Sequence, residues 1–285
     1  MKQAAKESVL IFLKGLAMGT VDAVPGISGG TVAFITGIYA RLVEGINTIR
    51  KEIQETIKSP TQILKNIKKL DWPFFLPLGA GIAIALFFFS GIMSYFLSHF
   101  TANTFAFFTG LIVASAFLFI KKLGKVNLKN AVAFVAGFIV AFAISALAAT
   151  SIPHTLPIVF ASGAIAICAM ILPGISGSFL LVLLGQYEFV INAIHQRNLL
   201  IVAIFGAGAA IGILLFSKFL NFLLHRYKQI TFYSLTGLML GALRVPYLEI
   251  QAAGGFANPI YLLYFVVLGA GLVIGIEQIA KKFSH

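Results

Sequence analysis

The chain has 285 residues, of which 59% are hydrophobic and only 11% charged, with a formal net charge of +12. Soluble domains carry about a quarter charged residues, so this composition, with a mean hydropathy of +0.98, excludes an ordinary soluble protein and describes a polytopic membrane protein. The basic residues fall in short clusters between apolar runs, a membrane-orientation pattern that argues against nucleic acid as a partner.

At the N-terminus, Lys2 and Lys6 precede an apolar run at 9–13, the outline of a signal peptide. Lys14 interrupts that run and Asp22 stands where small residues should precede cleavage, so the segment reads as part of the mature fold. A first hairpin is expected over 8–46, broken at Pro25-Gly26. Next comes an insertion at 46–72 that places Ile46, Ile49, Ile53 and Ile57 on one helical face, with Arg50, Lys51 and Lys58 among its polar positions. Two readings of it stay open: a helix lying on the cytoplasmic surface against anionic lipids, and a solvated linker packed on the bundle. Spans follow at 74–98, 104–120 and 131–149. A second hairpin at 156–193, broken at Pro173-Gly174, leads to spans at 199–224, 230–246 and 259–279.

The two hairpins repeat one sequence. Pro25-Gly26-Ile27-Ser28-Gly29 recurs as Pro173-Gly174-Ile175-Ser176-Gly177, and at the same offset Gly37 matches Gly185 and Tyr39 matches Tyr187. A second offset then relates Gly79-Ala80-Gly81 to Gly206-Ala207-Gly208, Phe89-Ser90 to Phe216-Ser217, Thr104-Phe105 to Thr231-Phe232 and Thr109-Gly110-Leu111 to Thr236-Gly237-Leu238. The change of offset places an insertion between 46 and 78 of the first half. The expected organisation is therefore an all-α fold of two repeats. Residues 1–130 with the span 131–149 form the first half, and 150–285 the second.

Three crossings per half is odd, so the second half is expected to be inverted. Charge agrees. With the N-terminus inside, the clusters Arg50, Lys51, Lys58, Lys65, Lys68, Lys69; Lys121, Lys122, Lys125, Lys129; Arg226, Lys228; and Lys281, Lys282 all fall on the cytoplasmic side with the C-terminus. The outer segments hold only Arg197 and Arg244. Parity does not distinguish re-entrant hairpins from fully crossing ones. Paired Pro-Gly breaks favour re-entrant tips near the midplane, because broken backbone inside a bilayer persists only where protein buries it or it lines a wet cavity.

Each break is followed by small and hydroxylated residues: Ser28-Gly29-Gly30-Thr31 in the first hairpin and Ser176-Gly177-Ser178 in the second. Helix starts carry unpaired N–H groups and partial positive charge, so these residues are candidate ligands for an anion or anionic headgroup. The alternative is that Gly and Ser serve close helix packing. Asp22, whose repeat partner is Met170, is a candidate proton carrier or an anchor for Lys14 or Arg41, with a hairpin cap as the plainer reading. Arg244, near the outer end of the fifth span, is a candidate headgroup receptor or an interfacial arginine. Glu188 is placed to titrate or to pair with Arg197 or Arg244. Tyr39 and Tyr187 fit a ligand wall or an interfacial belt. Cys168 is the only cysteine, and His99, His154 and His195 lack metal-ligand spacing, so neither a metal nor a cofactor is expected.

The run from Gly15 to Thr31 (GLAMGTVDAVPGISGGT), closing with Gly37-Ile38-Tyr39, resembles the bacterial polyprenyl-phosphate transporter family (PopT). So do Leu172-Pro173-Gly174-Ile175-Ser176-Gly177-Ser178 and the stretch from Gly237-Leu238 to Arg244. The resemblance covers essentially the whole chain. It implies a translocase that returns undecaprenyl phosphate from the outer to the inner leaflet of the bacterial cytoplasmic membrane, recycling the carrier lipid for cell-wall synthesis. It also implies no enzymatic activity. Two other readings fit the hairpins: a transporter or channel for a small soluble anion, and a polyprenyl-pyrophosphate phosphatase. The phosphatase lacks parts here, since neither Pro-Gly turn is followed by an Arg-Ser pair and no intramembrane Glu pair appears.

Overall fold

The computed structural model describes residues 2–22, 28–124, 126–147 and 152–282. Pro25 and Gly26, the first hairpin break, lie outside the described residues, as do the last two residues of the span expected at 131–149. Among the described residues the fold is all-helical, with fourteen α-helices and no strand. The first seven are α1 (Lys2–Asp22), α2 (Gly29–Ile35), α3 (Tyr39–Lys58), α4 (Ile63–Lys68), α5 (Trp72–His99), α6 (Thr101–Leu123) and α7 (Leu128–Ile144). The others are α8 (Leu156–Ile171), α9 (Gly177–Leu183), α10 (Tyr187–His195), α11 (Leu199–Arg226), α12 (Lys228–Gly241), α13 (Arg244–Ala252) and α14 (Pro259–Lys282). Three of them (α5, α6 and α11) are long and apolar enough to cross a membrane, or up to five spans if each bent pair counts as one.

The bent pairs are α2–α3, turned by 116°, and α9–α10, turned by 107°. Both turns have one cause. Gly37 and Gly185 sit at positive φ, 76° and 65°, a conformation that glycine adopts without steric cost. In each, the amide two places beyond the cap residue reaches back five residues: Ile38 N–H to the Ala33 carbonyl (3.0 Å) and Gln186 N–H to the Leu181 carbonyl (2.8 Å). This is the Schellman closure, which ends the short helix and redirects the chain. The second arm of the first hairpin therefore ends at Ile35, short of the expected 46, and the amphipathic helix already starts at Tyr39.

The long helices pack in pairs through glycines that admit a neighbouring backbone. A methyl added at Gly15 would meet the Leu78 carbonyl, and one at Gly81 the Phe12 carbonyl, so α1 and α5 cross in close contact. The repeat-related residues do the same between α8 and α11: Gly163 against Phe205 and Gly208 against Phe160. A second set pairs α6 with α14 (Gly110 on Val266, Gly269 on Phe107) and α7 with α12 (Gly237 on Phe134, Gly137 on Ser234). In a lipid environment such small-residue crossings replace the hydrophobic drive that water supplies elsewhere.

The fifth span departs from expectation. The stretch 230–246 is not one helix: α12 stops at Gly241 and Arg244 opens α13. Pro246 supplies the reason, because its ring and missing N–H disrupt the bond to the carbonyl four residues back. The insertion folds as α3 with α4, joined by Asn66 Nδ2 donating to Thr56 Oγ1 (2.9 Å) and by a Lys69–Glu52 ion pair. Ile46 is buried, but Ile53, Ile57, Ile63, Leu64 and Ile67 are exposed.

The paired glycines yield a test. Gly110→Ala and Gly237→Ala are expected to destabilise by about 1–3 kcal/mol through overpacking. Gly79→Ala and Gly206→Ala, whose added methyls meet nothing within 4 Å, should be neutral or stabilising by about 0.5–1 kcal/mol. Thermal unfolding in detergent would show the two classes separate, and equal melting temperatures would remove this account of helix pairing.

Candidate functional site

The second hairpin turns as its sequence dictates. Because Pro173 offers no N–H, α8 closes at Ile171, and Gly174 takes φ 89°. Ser176 then caps α9, its Oγ accepting from Phe179 N–H (3.5 Å) and contacting Ser178 Oγ (2.8 Å). Ser28 caps α2 in the corresponding way, accepting from Gly30 N–H at 3.1 Å.

The two tips interlock. The Ser28 hydroxyl proton is shared between the Met170 and Leu172 carbonyls (3.0 and 3.3 Å), and Gly174 N–H donates to Thr31 Oγ1 (2.8 Å). Ser28 and Thr31 are both buried. The glycines belong to the same latch. A methyl on Gly30 would strike the Met170 and Ile171 carbonyls, one on Gly29 the Asp22 carboxylate and one on Gly177 the Ala166 carbonyl. These glycines thus abut protein, and Ser28 and Thr31 spend their hydroxyls on the opposite hairpin.

Asp22 accepts a hydrogen bond from Gly29 N–H (2.6 Å), across the first break, and contacts neither Lys14 nor Arg41. Lys14 Nζ instead donates to the Thr36 carbonyl (2.9 Å). An anion thus stands at the start of α2 and a cation at its end, each matching the sign of the helix dipole there. Arg41 lies away from the tips: it holds Asp71 by two hydrogen bonds (2.8 and 3.1 Å), pairs with Glu7 (2.6 Å) and stacks on Phe74. That cluster fastens α1 and α3 to the start of α5. Glu188 is exposed and pairs with neither Arg197 nor Arg244. Tyr39 is buried with its hydroxyl unpartnered, whereas Tyr187 is partly exposed.

Arg244 follows the helix on which the second tip rests. A methyl on Gly174 would strike Met239 and the Leu238 carbonyl, so the second tip bears on α12 near its end, before the break that precedes Arg244. The guanidinium lies over the Phe142 ring (5.0 Å), and its Nη1 is buried without a hydrogen-bond partner. A buried, unpaired cationic nitrogen is costly and invites an anion. The structure thus joins Asp22 and the two hairpins, sets the second tip on the helix that precedes Arg244, and leaves Arg41 and Glu188 apart.

Comparison with known proteins fits this arrangement. Residues 18–254 match the model of a family described as undecaprenyl phosphate translocase-like. The chain belongs to that family. It is 42% identical over 234 residues to a polyprenyl-phosphate transporter of Vibrio cholerae, covering 81% of this chain and 75% of that protein. A polyprenyl-phosphate transporter of Staphylococcus aureus is 30% identical over 252 residues, covering 81% and 83%. No solved structure matches. Members of the undecaprenyl phosphate translocase-like family are thus named as transporters and not as enzymes, and with its apolar helices this one is a membrane protein.

Sequence reasoning missed the latch. Its signal was a broken symmetry: Thr31 has Phe179 as its repeat partner, so at this position the first hairpin alone carries a hydroxyl, and it receives the second hairpin's turn amide. Removing that acceptor tests it. Thr31→Val keeps the shape, strands Gly174 N–H and should cost about 1–3 kcal/mol. Ser178→Ala, which leaves the tip-to-tip bonds in place, should cost less. Denaturant unfolding in detergent reads both, and equal losses would show that the latch contributes nothing.

Proposed function

We propose that this protein carries polyprenyl phosphate, undecaprenyl phosphate in particular, from the outer to the inner leaflet of the bacterial cytoplasmic membrane. The observation that carries the reading is Arg244 Nη1, buried and unpaired, on the stretch of chain that follows the helix touched by the second hairpin tip. A phosphate oxygen satisfies it, and the names of the relatives supply the tail. Ser176 and Ser178 join Arg244 around the phosphate. Ser28, Gly29, Gly30 and Thr31 become donors only when the latch opens.

The two halves are inverted, with both termini in the cytoplasm. Supporting this, the two sets of glycine crossings come in repeat-related pairs. The helix ends also fall into two groups. Lys122 pairs with Glu277 (3.2 Å), and Glu7, Arg41 and Asp71 cluster, each within or next to a segment that charge assigns to the inside. Gln186 binds the Ile152 carbonyl (3.0 Å) and Gly255 abuts Ala102, within segments assigned to the outside.

Rocking of the halves opens the latch and exposes the phosphate to alternate leaflets. Moving a negative headgroup inward against a negative-inside potential costs about 2.3 kcal/mol per charge per 100 mV. A coupled proton or cation offsets this, with Asp22 or Glu188 as carrier.

Leaflet-resolved undecaprenyl phosphate in proteoliposomes tests the proposal. Intact protein should flip the lipid without releasing phosphate. Arg244→Gln should slow flipping roughly tenfold or more, by loss of a charge-assisted bond. Folded protein that flips nothing would favour a soluble anion as cargo, and phosphate release would point to an enzyme.

A further inference from the structure

A second basic feature lies away from the tips. Between α3 and α11 lies an open cavity of about 450 Å³ lined by Asn47, Arg50, Lys51, Lys218, Asn221, Phe222, His225 and Arg226. No carboxylate lines it. Arg41, Lys58, Lys69 and Lys122 all have acidic partners. Among the described residues Arg50, Lys51, Lys218 and Arg226 have none. Like charges crowded into one concavity repel, and the field they focus favours a multivalent anion.

The cavity is also oriented for a ligand. Arg50 is fixed by Nε donating to Asn47 Oδ1 (3.0 Å) and Nη1 donating to Gln54 Oε1 (2.7 Å), which leaves its Nη2 uncommitted. The Asn221 side-chain oxygen is buried without a partner, so this amide can turn its NH2 towards an acceptor. Cations in the last turn of a helix answer its dipole, which accounts for Arg226. It does not account for Lys218, two turns further in, or for Arg50 and Lys51 on α3.

An apolar track leads away from these charges. Ile211, Leu215, Phe219 and Phe222, at helical spacing on α11, are all exposed, and Phe222 is itself a wall of the cavity. We propose that the cavity binds the phosphomonoester headgroup of a single-tailed lipid, with its chain along this track. Four cations suit a monoester, which carries up to two charges, better than a phosphodiester. Resting on the transport reading above, the cavity is the station where polyprenyl phosphate arrives at the cytoplasmic leaflet.

Lysine footprinting of the full chain in phosphatidylcholine nanodiscs tests this. Dodecyl phosphate should protect the Lys51 and Lys218 amines from acylation while Lys65 and Lys68 stay reactive. Arg50→Gln and Arg226→Gln should each weaken that protection roughly tenfold. Unchanged reactivity of Lys51 and Lys218 in wild-type protein would overturn the site. Equal protection by inorganic phosphate or by phosphatidylglycerol would overturn the monoester-lipid assignment. Protection without flipping in proteoliposomes would leave the site standing and remove the transport reading alone.

Discussion

Two helices that stop inside the helix bundle leave N–H and C=O groups that only other parts of the chain can satisfy, and the rest of the fold follows from how those groups are met. Each tip completes the other. The Ser28 hydroxyl serves carbonyls of the second hairpin, and Thr31 receives its turn amide. That exchange demands backbone-to-backbone proximity, which Gly30 and Gly174 permit. It also demands that each short second arm be held in place. α1 does this for α2 with Asp22 at one end and Lys14 at the other.

Charge within the protein is divided by use. Arg41 spends its guanidinium on Asp71 and Glu7 and so serves as a fastener. Arg244 has Phe142 beneath it and one nitrogen with no partner. A folded chain keeps such a group at a cost, and the cost is recovered when an anion arrives. The cations around the α3–α11 cavity follow the same logic at higher density.

Much of this was legible in the sequence because it rests on local rules. The Pro-Gly break at 173–174, the αL glycines 37 and 185 and the crossing glycines 81 and 208, 110 and 237 are visible as repeated residues. Arg244 stood out as one of only two basic residues in segments read as outer. What stayed hidden depends on which groups meet across the chain. Ser28 and Thr31 read as free donors because nothing in their neighbourhood reveals carbonyls some 140 residues away. Arg41 read as a possible partner of Asp22 because its actual partner, Asp71, lies 30 residues on, at the far end of the insertion. The break before α13 was announced by Pro246, but the apolar run around it masked that signal.

The pairing of α7 with α12 and of α6 with α14 has a consequence for how the protein is made. Neither half contains the partners of its own last helices, so neither can mature alone. At the usual pace of synthesis, 5–20 residues per second, α7 waits on the order of ten seconds in the bilayer before α12 emerges. During that interval its glycine-notched face has only lipid to meet, and insertion machinery or chaperones would find it open. The nascent chain resembles a dimer whose two subunits arrive in sequence, and the first is held incomplete until the second is delivered.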